Sequence, residues 1–193
     1  MNGGGAPVRR VYLAGPDVFL PDARDVARRK LKACADAGIE GVFPFDIDAS
    51  PSSSGGFDDG VAIARANFDL MRGADAVLAN CTPFRGIHAD AGTAFELGFF
   101  AAQGKPIHAY SAEGRDAATR TRALLGLADG AEVDADGAAV EDFGHPDNLM
   151  LSGAAALTGG AWTVVADGDP AAMAAFHLAL DRLAATFGDR AAA

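Results

Sequence analysis

The chain has 193 residues, and 16 Lys and Arg against 26 Asp and Glu leave a formal charge of −10. That balance gives no basic footprint for the phosphate backbone of DNA or RNA, while 50% hydrophobic and 22% charged residues exclude a disordered chain. Two cysteines cannot staple a disulfide scaffold, and no apolar run reaches the roughly 18 residues of a bilayer span.

A cytoplasmic protein with reduced Cys34 and Cys81 is therefore expected, with no signal peptide, no membrane partner and no nucleic-acid polymer as partner. In chain order, residues 8–14 form a β-branched apolar run closed by Gly15-Pro16 and read as a strand. Residues 21–38 carry helical periodicity up to a glycine stop. The alternation then repeats: strand over 41–45, helix over 58–71, buried strand over 74–80, helix over 92–103, and strand over 105–110. Residues 111–141 are rich in Ala, Asp and Gly and read as an inserted excursion with one helical stretch over 115–127. A fifth strand is expected over 162–165 and a closing helix over 170–187, with flexible ends at 1–7 and 188–193. Short connections between alternating strands and helices require a parallel sheet covered on both faces. The expected fold is one domain over 8–187, a flavodoxin-like or Rossmann-like three-layer α/β sandwich around a central parallel five-stranded sheet.

Ligands of open parallel sheets bind outside the carboxyl ends of the strands, where strand order reverses. That rule selects the loops 15–21, 45–57 and 81–91 and the segment after the fourth strand. The third loop runs into Asp90-Ala-Gly-Thr-Ala-Phe-Glu96-Leu-Gly98, which sets two carboxylates six positions apart at a helix start. Gly92 and Gly98 allow close approach of backbone or ligand. A carboxylate there has the chemistry to attack an electrophilic sugar carbon. The competing reading is that Asp90 caps the helix, Thr93 and Glu96 form a capping-box pair, and nothing reacts.

Asp69 reads either as a catalytic acid or as a solvated partner of Arg65 on the second helix. Asp17, Asp46 and Asp48 are turn residues as readily as ligands. Tyr12 reads as a packed strand tyrosine or as a hydroxyl that orients a nucleophilic carboxylate. Phe19 and Phe45 stand on loops that could meet a planar base, with ordinary core packing as the alternative. Gly15 and Pro16 do not complete a dinucleotide fingerprint, and no Walker lysine follows. The four histidines and two cysteines show no metal-ligand spacing, so neither metal nor cofactor is expected.

Six segments taken in order carry a further signal: Tyr12-Leu-Ala-Gly-Pro-Asp-Val-Phe19, Asp69-Leu, Ala74-Asp-Ala-Val, Pro83-Phe-Arg-Gly86, Asp90 to Gly98, and Asp147-Asn148-Leu-Met150. Together they resemble the nucleoside 2-deoxyribosyltransferases, most closely the branch of trypanosomatids and many bacteria. The resemblance implies exchange of nucleobases on 2′-deoxyribonucleosides through a covalent deoxyribosyl ester on Glu96, with slow hydrolysis as a side reaction. It implies that Tyr12 orients the nucleophile, Asp90 holds the sugar 5′-hydroxyl and Asp69 meets or helps protonate the departing base. Gly15, Pro16, Phe19, Asp46, Arg85, Gly92, Asn148 and Met150 are the further substrate-binding candidates. By the same resemblance Asn148 completes a neighbouring subunit's site, so a homo-oligomer, dimer or hexamer, is implied.

Two other functions compete. One is an N-glycosidase of 2′-deoxynucleoside 5′-monophosphates, which gives the sugar to water. Against it stand a first loop that carries Asp17 rather than a Ser/Arg/Gly-rich anion nest, and Asp90, which would repel a 5′-phosphate while accepting from a 5′-hydroxyl; Arg85 either pairs with phosphate or braces its loop against a carboxylate. The other is a non-catalytic nucleotide-binding module on the same fold.

Overall fold

The computed structural model describes residues 9–44 and 56–192, with side chains described as far as residue 188. Five strands, β1 (Arg9–Ala14), β2 (Ile39–Val42), β3 (Ala76–Asn80), β4 (Ile107–Ser111) and β5 (Ala161–Val164), form one sheet in the order β2-β1-β3-β4-β5. Every pairing in it is parallel. The helices are α1 (Ala23–Asp36), α2 (Phe57–Arg72), α3 (Ala91–Ala102), α4 (Ala117–Leu125), α5 (Leu149–Leu157) and α6 (Met173–Ala192). This is the expected three-layer α/β fold.

The two cores follow from the two-residue period of a strand. Val11 and Leu13 of β1, with Ala76 and Leu78 of β3, face α1 and α6. Tyr12 and Ala14, with Val77 and Ala79, face the opposite layer, where Met71, Leu97, Phe100 and Ala155 pack. Sheets buried on both faces need continuous apolar strands, and β3 and β4 are buried at every position.

Several boundaries differ from expectation for local reasons. β2 begins at Ile39 because Gly38, at φ 73°, makes the turn and Ile39 already pairs with Arg9. Gly41 lies inside β2, where an added Cβ would stand 3.1 Å from Leu31 and 3.2 Å from Cys34, so its lack of a side chain admits α1. α6 begins at Met173 rather than near Pro170, since the Asp169 carboxylate accepts from the Ala171 and Met173 amides, both at 3.0 Å. α5 has no counterpart in the sequence reading. Its residues Leu-Met-Leu-Ser-Gly-Ala-Ala-Ala-Leu carry no polar stripe from which a helical period could be read. Within residues 111–141 the chain forms α4, which ends on Gly126 at φ 65°, and a single antiparallel bridge between Val133 and Ala139.

Candidate active site

The strand order reverses between β1 and β3, so the crevice at their carboxyl ends is the place for a ligand. At the end of β1 the chain turns at Gly15, φ 143°, where an added Cβ would lie 2.7 Å from the Asn80 Cβ. Glycine is required there twice, for conformation and for space. A 3-10 turn over Pro16–Phe19 follows. Asp17 in that turn points inward: its Oδ2 accepts from Lys30 Nζ at 2.7 Å and its Oδ1 from Asn80 Nδ2 at 2.9 Å. Lys30 also donates to the Tyr110 hydroxyl at 2.9 Å, and Asn80 Oδ1 accepts from the Thr82 amide at 3.1 Å. This buried frame fixes the loops after β1 and β3 against each other. Burial pulls the Lys30 ammonium below its ordinary pKa, against the raising effect of Asp17. Asp17, only 2% exposed, therefore holds this frame together instead of facing a ligand.

On the other face of β1, Tyr12 is fully buried and stacks on Phe100 with centroids 6.1 Å apart. Its hydroxyl donates to Glu96 Oε1 at 2.6 Å, joining β1 to the second turn of α3. Burial, followed by the charge of Glu96, pushes the Tyr12 hydroxyl far above its ordinary pKa, so it stays protonated and donates. Burial raises Glu96, the Tyr12 hydrogen bond lowers it, Asp90 raises it, and the carboxyl stands at about 7. Glu96 is thus a carboxylate held by one short hydrogen bond and poised near neutrality.

Asp90 is the N-cap of α3, its Oδ2 accepting from Gly92 N at 3.0 Å and Thr93 N at 3.2 Å. The capping half of the inert reading is therefore present, but Glu96 takes no part in a capping box and turns to Tyr12 instead. Asp90 Oδ1 has no hydrogen-bond partner among the described residues. Gly92 lies against the cap, where a Cβ would approach Asp90 Oδ2 to 2.9 Å.

Arg85 takes a left-handed φ of 54°. Its guanidinium lies over Phe84 at 4.8 Å and Phe19 at 5.3 Å, and those rings stack at 5.4 Å. No acidic partner holds it among the described residues, so the expected bracing against a carboxylate is corrected to stacking on two aromatic rings. Phe19 is 55% exposed beside it.

Asp69 lies on the exposed side of α2 and pairs with Arg72 at 2.7 Å, not with Arg65. It shares no hydrogen bond or ion pair with Tyr12, Glu96 or Asp90. Asn148 is the N-cap of α5: its Oδ1 accepts from Met150 N at 3.0 Å, and its Nδ2 donates to Glu141 at 3.4 Å. Met150 is 69% exposed on α5. Asp46, Asp48 and Phe45 lie outside the described residues.

Sequence reasoning assigned no role to Lys30, Glu141 or Asp147. Lys30 was signalled by its phase, since it shares the buried stripe of α1 with Val26, Ala27 and Cys34. Among the described residues no group of three or more His, Cys, Asp or Glu side chains could hold a metal ion. No described helix is long and apolar enough to cross a membrane.

The family whose sequence pattern matches residues 11–150 is described as nucleoside 2-deoxyribosyltransferase. The chain is 32% identical to a 2-deoxyribosyltransferase from Leishmania mexicana of known structure, matching with a TM-score of 0.60 over 88% of this chain and 97% of that one. It is 34% identical over 190 residues to an uncharacterized protein of Schizosaccharomyces pombe, spanning 91% of this chain and 88% of the relative. A conserved protein of Enterococcus faecalis, 19% identical with a TM-score of 0.54, covers 91% of this chain and 97% of its own and shares the fold.

Proposed function

The chain belongs to the nucleoside 2-deoxyribosyltransferase family, and from that premise we propose that it exchanges nucleobases on 2′-deoxyribonucleosides by double displacement through Glu96. The observation that carries this reading is the 2.6 Å hydrogen bond from the buried Tyr12 to a Glu96 carboxyl poised near neutrality at the switch point of the sheet. In the first step a Glu96 oxygen attacks C1′, the C1′–N bond breaks, and its electron pair leaves with the base, which takes up a proton. In the second step the nitrogen of an incoming base attacks C1′ and gives up its proton, balancing the one taken by the departing base, while the ester C–O bond breaks and the carboxylate is restored. Two inversions give net retention. A 2′-deoxy sugar suits this chemistry because no electron-withdrawing 2′-hydroxyl opposes the oxocarbenium-like transition state.

In this reading Tyr12 aims the attacking oxygen, and Asp90 Oδ1, without a partner among the described residues, accepts from the sugar 5′-hydroxyl. Asp69 attends the departing base. Gly15, Pro16, Phe19, Arg85 and Gly92 shape the pocket, and Asp46 is a further substrate-binding candidate. Asn148 and Met150 complete the site of a neighbouring subunit in a dimer or hexamer. The exposed apolar side chains of α5, Met150 at 69% and Leu157 at 90%, support such association. Water reaching the ester gives slow hydrolysis.

Incubation with deoxyinosine and adenine should yield deoxyadenosine and hypoxanthine by chromatography. Failure to exchange any purine or pyrimidine pair overturns the proposal. One observation favours a second reading, hydrolysis of deoxynucleoside 5′-monophosphates. Arg85 is exposed without an acidic partner among the described residues, and Asp17 is buried away from the ligand side. Base release from deoxyinosine 5′-monophosphate faster than exchange on deoxyinosine would select it.

Tyr12→Phe tests the proposed orienting hydrogen bond. That bond favours the charged form of Glu96, so its loss raises the Glu96 pKa further, and the acid limb of kcat/KM should move upward from near pH 7. A fall of about 10- to 100-fold in kcat is expected at neutral pH. An unmoved acid limb with normal kcat would remove Tyr12 from the mechanism.

A further inference from the structure

Asp147 is fully buried and has no role in the reading above. Its Oδ1 accepts from the Asn148 amide at 2.7 Å and lies 2.7 Å from His88 Nδ1. Its Oδ2 accepts from the Ala89 amide at 2.9 Å and lies 3.6 Å from Arg120. The short contact holds the half-exposed His88 ring against Asp147 through Nδ1.

Arg120, also buried, bridges the same two segments. It donates to the Ile87 carbonyl at 2.7 Å and to the Pro146 carbonyl at 2.8 Å. One carboxylate and one guanidinium therefore bolt residues 87–89 to residues 146–148. The next residue on one side is Asp90, the cap of α3, and the residue held on the other is Asn148, the cap of α5. A group bonded to both backbone amides sets where both caps stand.

We propose that Asp147 is a positioning residue, clamping the loop that ends in Asp90 to the start of α5 so that the Asp90 carboxylate meets the 5′-hydroxyl of the sugar. This rests on the deoxyribosyltransferase reading and on Asp90 as the acceptor of that hydroxyl. Asp147 touches no reacting atom; it acts through the Ala89 and Asn148 amides. Asp147→Asn turns an amide group toward donors and loosens both ends of the clamp. The loss then falls on whatever depends on Asp90 and spares the rest of the turnover.

The test pairs this variant with two sugar donors, 2′-deoxyadenosine and 2′,5′-dideoxyadenosine, with hypoxanthine as acceptor. The wild-type protein should prefer the donor with a 5′-hydroxyl. Asp147→Asn should lower kcat/KM by about 10- to 100-fold on 2′-deoxyadenosine but by less than about threefold on the 5′-deoxy donor, because the interaction it disturbs is already missing there. A general structural defect would depress both donors alike, and equal losses overturn the proposal while leaving the exchange reading intact. A wild-type protein indifferent to the 5′-hydroxyl overturns the Asp90 role and the clamp with it. No exchange on either donor overturns the function itself. His88→Ala is run beside it, since that half-exposed ring can be removed with little risk to folding. The same donor-dependent pattern at smaller size is expected, and its absence from folded His88→Ala overturns the clamp even if Asp147→Asn does not fold.

Discussion

Glu96→Gln is expected to abolish base exchange, by about 10⁴-fold or more, while making the protein more stable at pH 8. An amide cannot form the glycosyl ester, so the first effect follows from the proposed nucleophile. The second follows from the environment of the carboxyl. Its pKa stands at about 7 in the folded chain against an ordinary value of 4.5, chiefly through burial. The folded state thus holds this proton more tightly than the unfolded chain. Its stabilising contribution is full below about pH 4.5 and is lost as pH rises through about 7. Above that range the ionised group opposes folding by up to about 3 kcal/mol. Glutamine keeps an acceptor for the Tyr12 hydroxyl without the charge. A gain of about 1–2 kcal/mol at pH 8, a few degrees in Tm, is expected, shrinking toward pH 5. Calorimetry at the two pH values together with the exchange assay checks both effects. Retained exchange, or a Tm gain independent of pH, would contradict the assignment.

Lys30→Met should cost about 3–5 kcal/mol, because it leaves the Asp17 carboxylate buried and without its cation. The Lys30 ammonium is wholly enclosed, donates to Asp17 at 2.7 Å and to Tyr110 at 2.9 Å, and lies over the Tyr110 and Phe176 rings. Asp17 then holds Asn80, which holds the Thr82 amide and the Pro170 carbonyl. Loss of one cation releases the loops after β1 and β3 together, so kcat/KM should fall with stability. The double variant Lys30→Met with Asp17→Leu removes both charges and should recover most of the loss, since apolar packing replaces a buried pair at little cost. Urea denaturation measures each. A single variant within about 1 kcal/mol of wild type would show that the pair does not hold this frame.

The sheet was legible in the sequence because its central strands are buried on both faces and therefore read as apolar runs, as at Ala76–Asn80. The loops at the carboxyl ends of the strands were legible from element order, whereas the switch point between β1 and β3 needed the strand order. Tyr12 and Glu96 lie 84 positions apart, and their pairing depends on which face of β1 meets α3, a property of three-dimensional packing. Asp90 showed its cap because capping is local chemistry. Arg85 was misjudged because its partners, Phe19 and Phe84, come from two loops that only the strand order brings together. α5 was invisible because a helix apolar on all sides has no period to detect. Asp147 carried no sign of burial, since an Asp beside an Asn-Leu pair looks like any turn, and its four contacts come from segments 58 and 59 residues away, from Arg120, and from its own neighbour.

The most direct test of the proposed function is mass spectrometry of protein quenched during turnover of 2′-deoxyadenosine. One deoxyribosyl group esterified to the peptide that carries Glu96, absent from Glu96→Gln, is the expected result. Active exchange with no adduct on that peptide, or with the sugar attached to another residue, contradicts a covalent Glu96 ester.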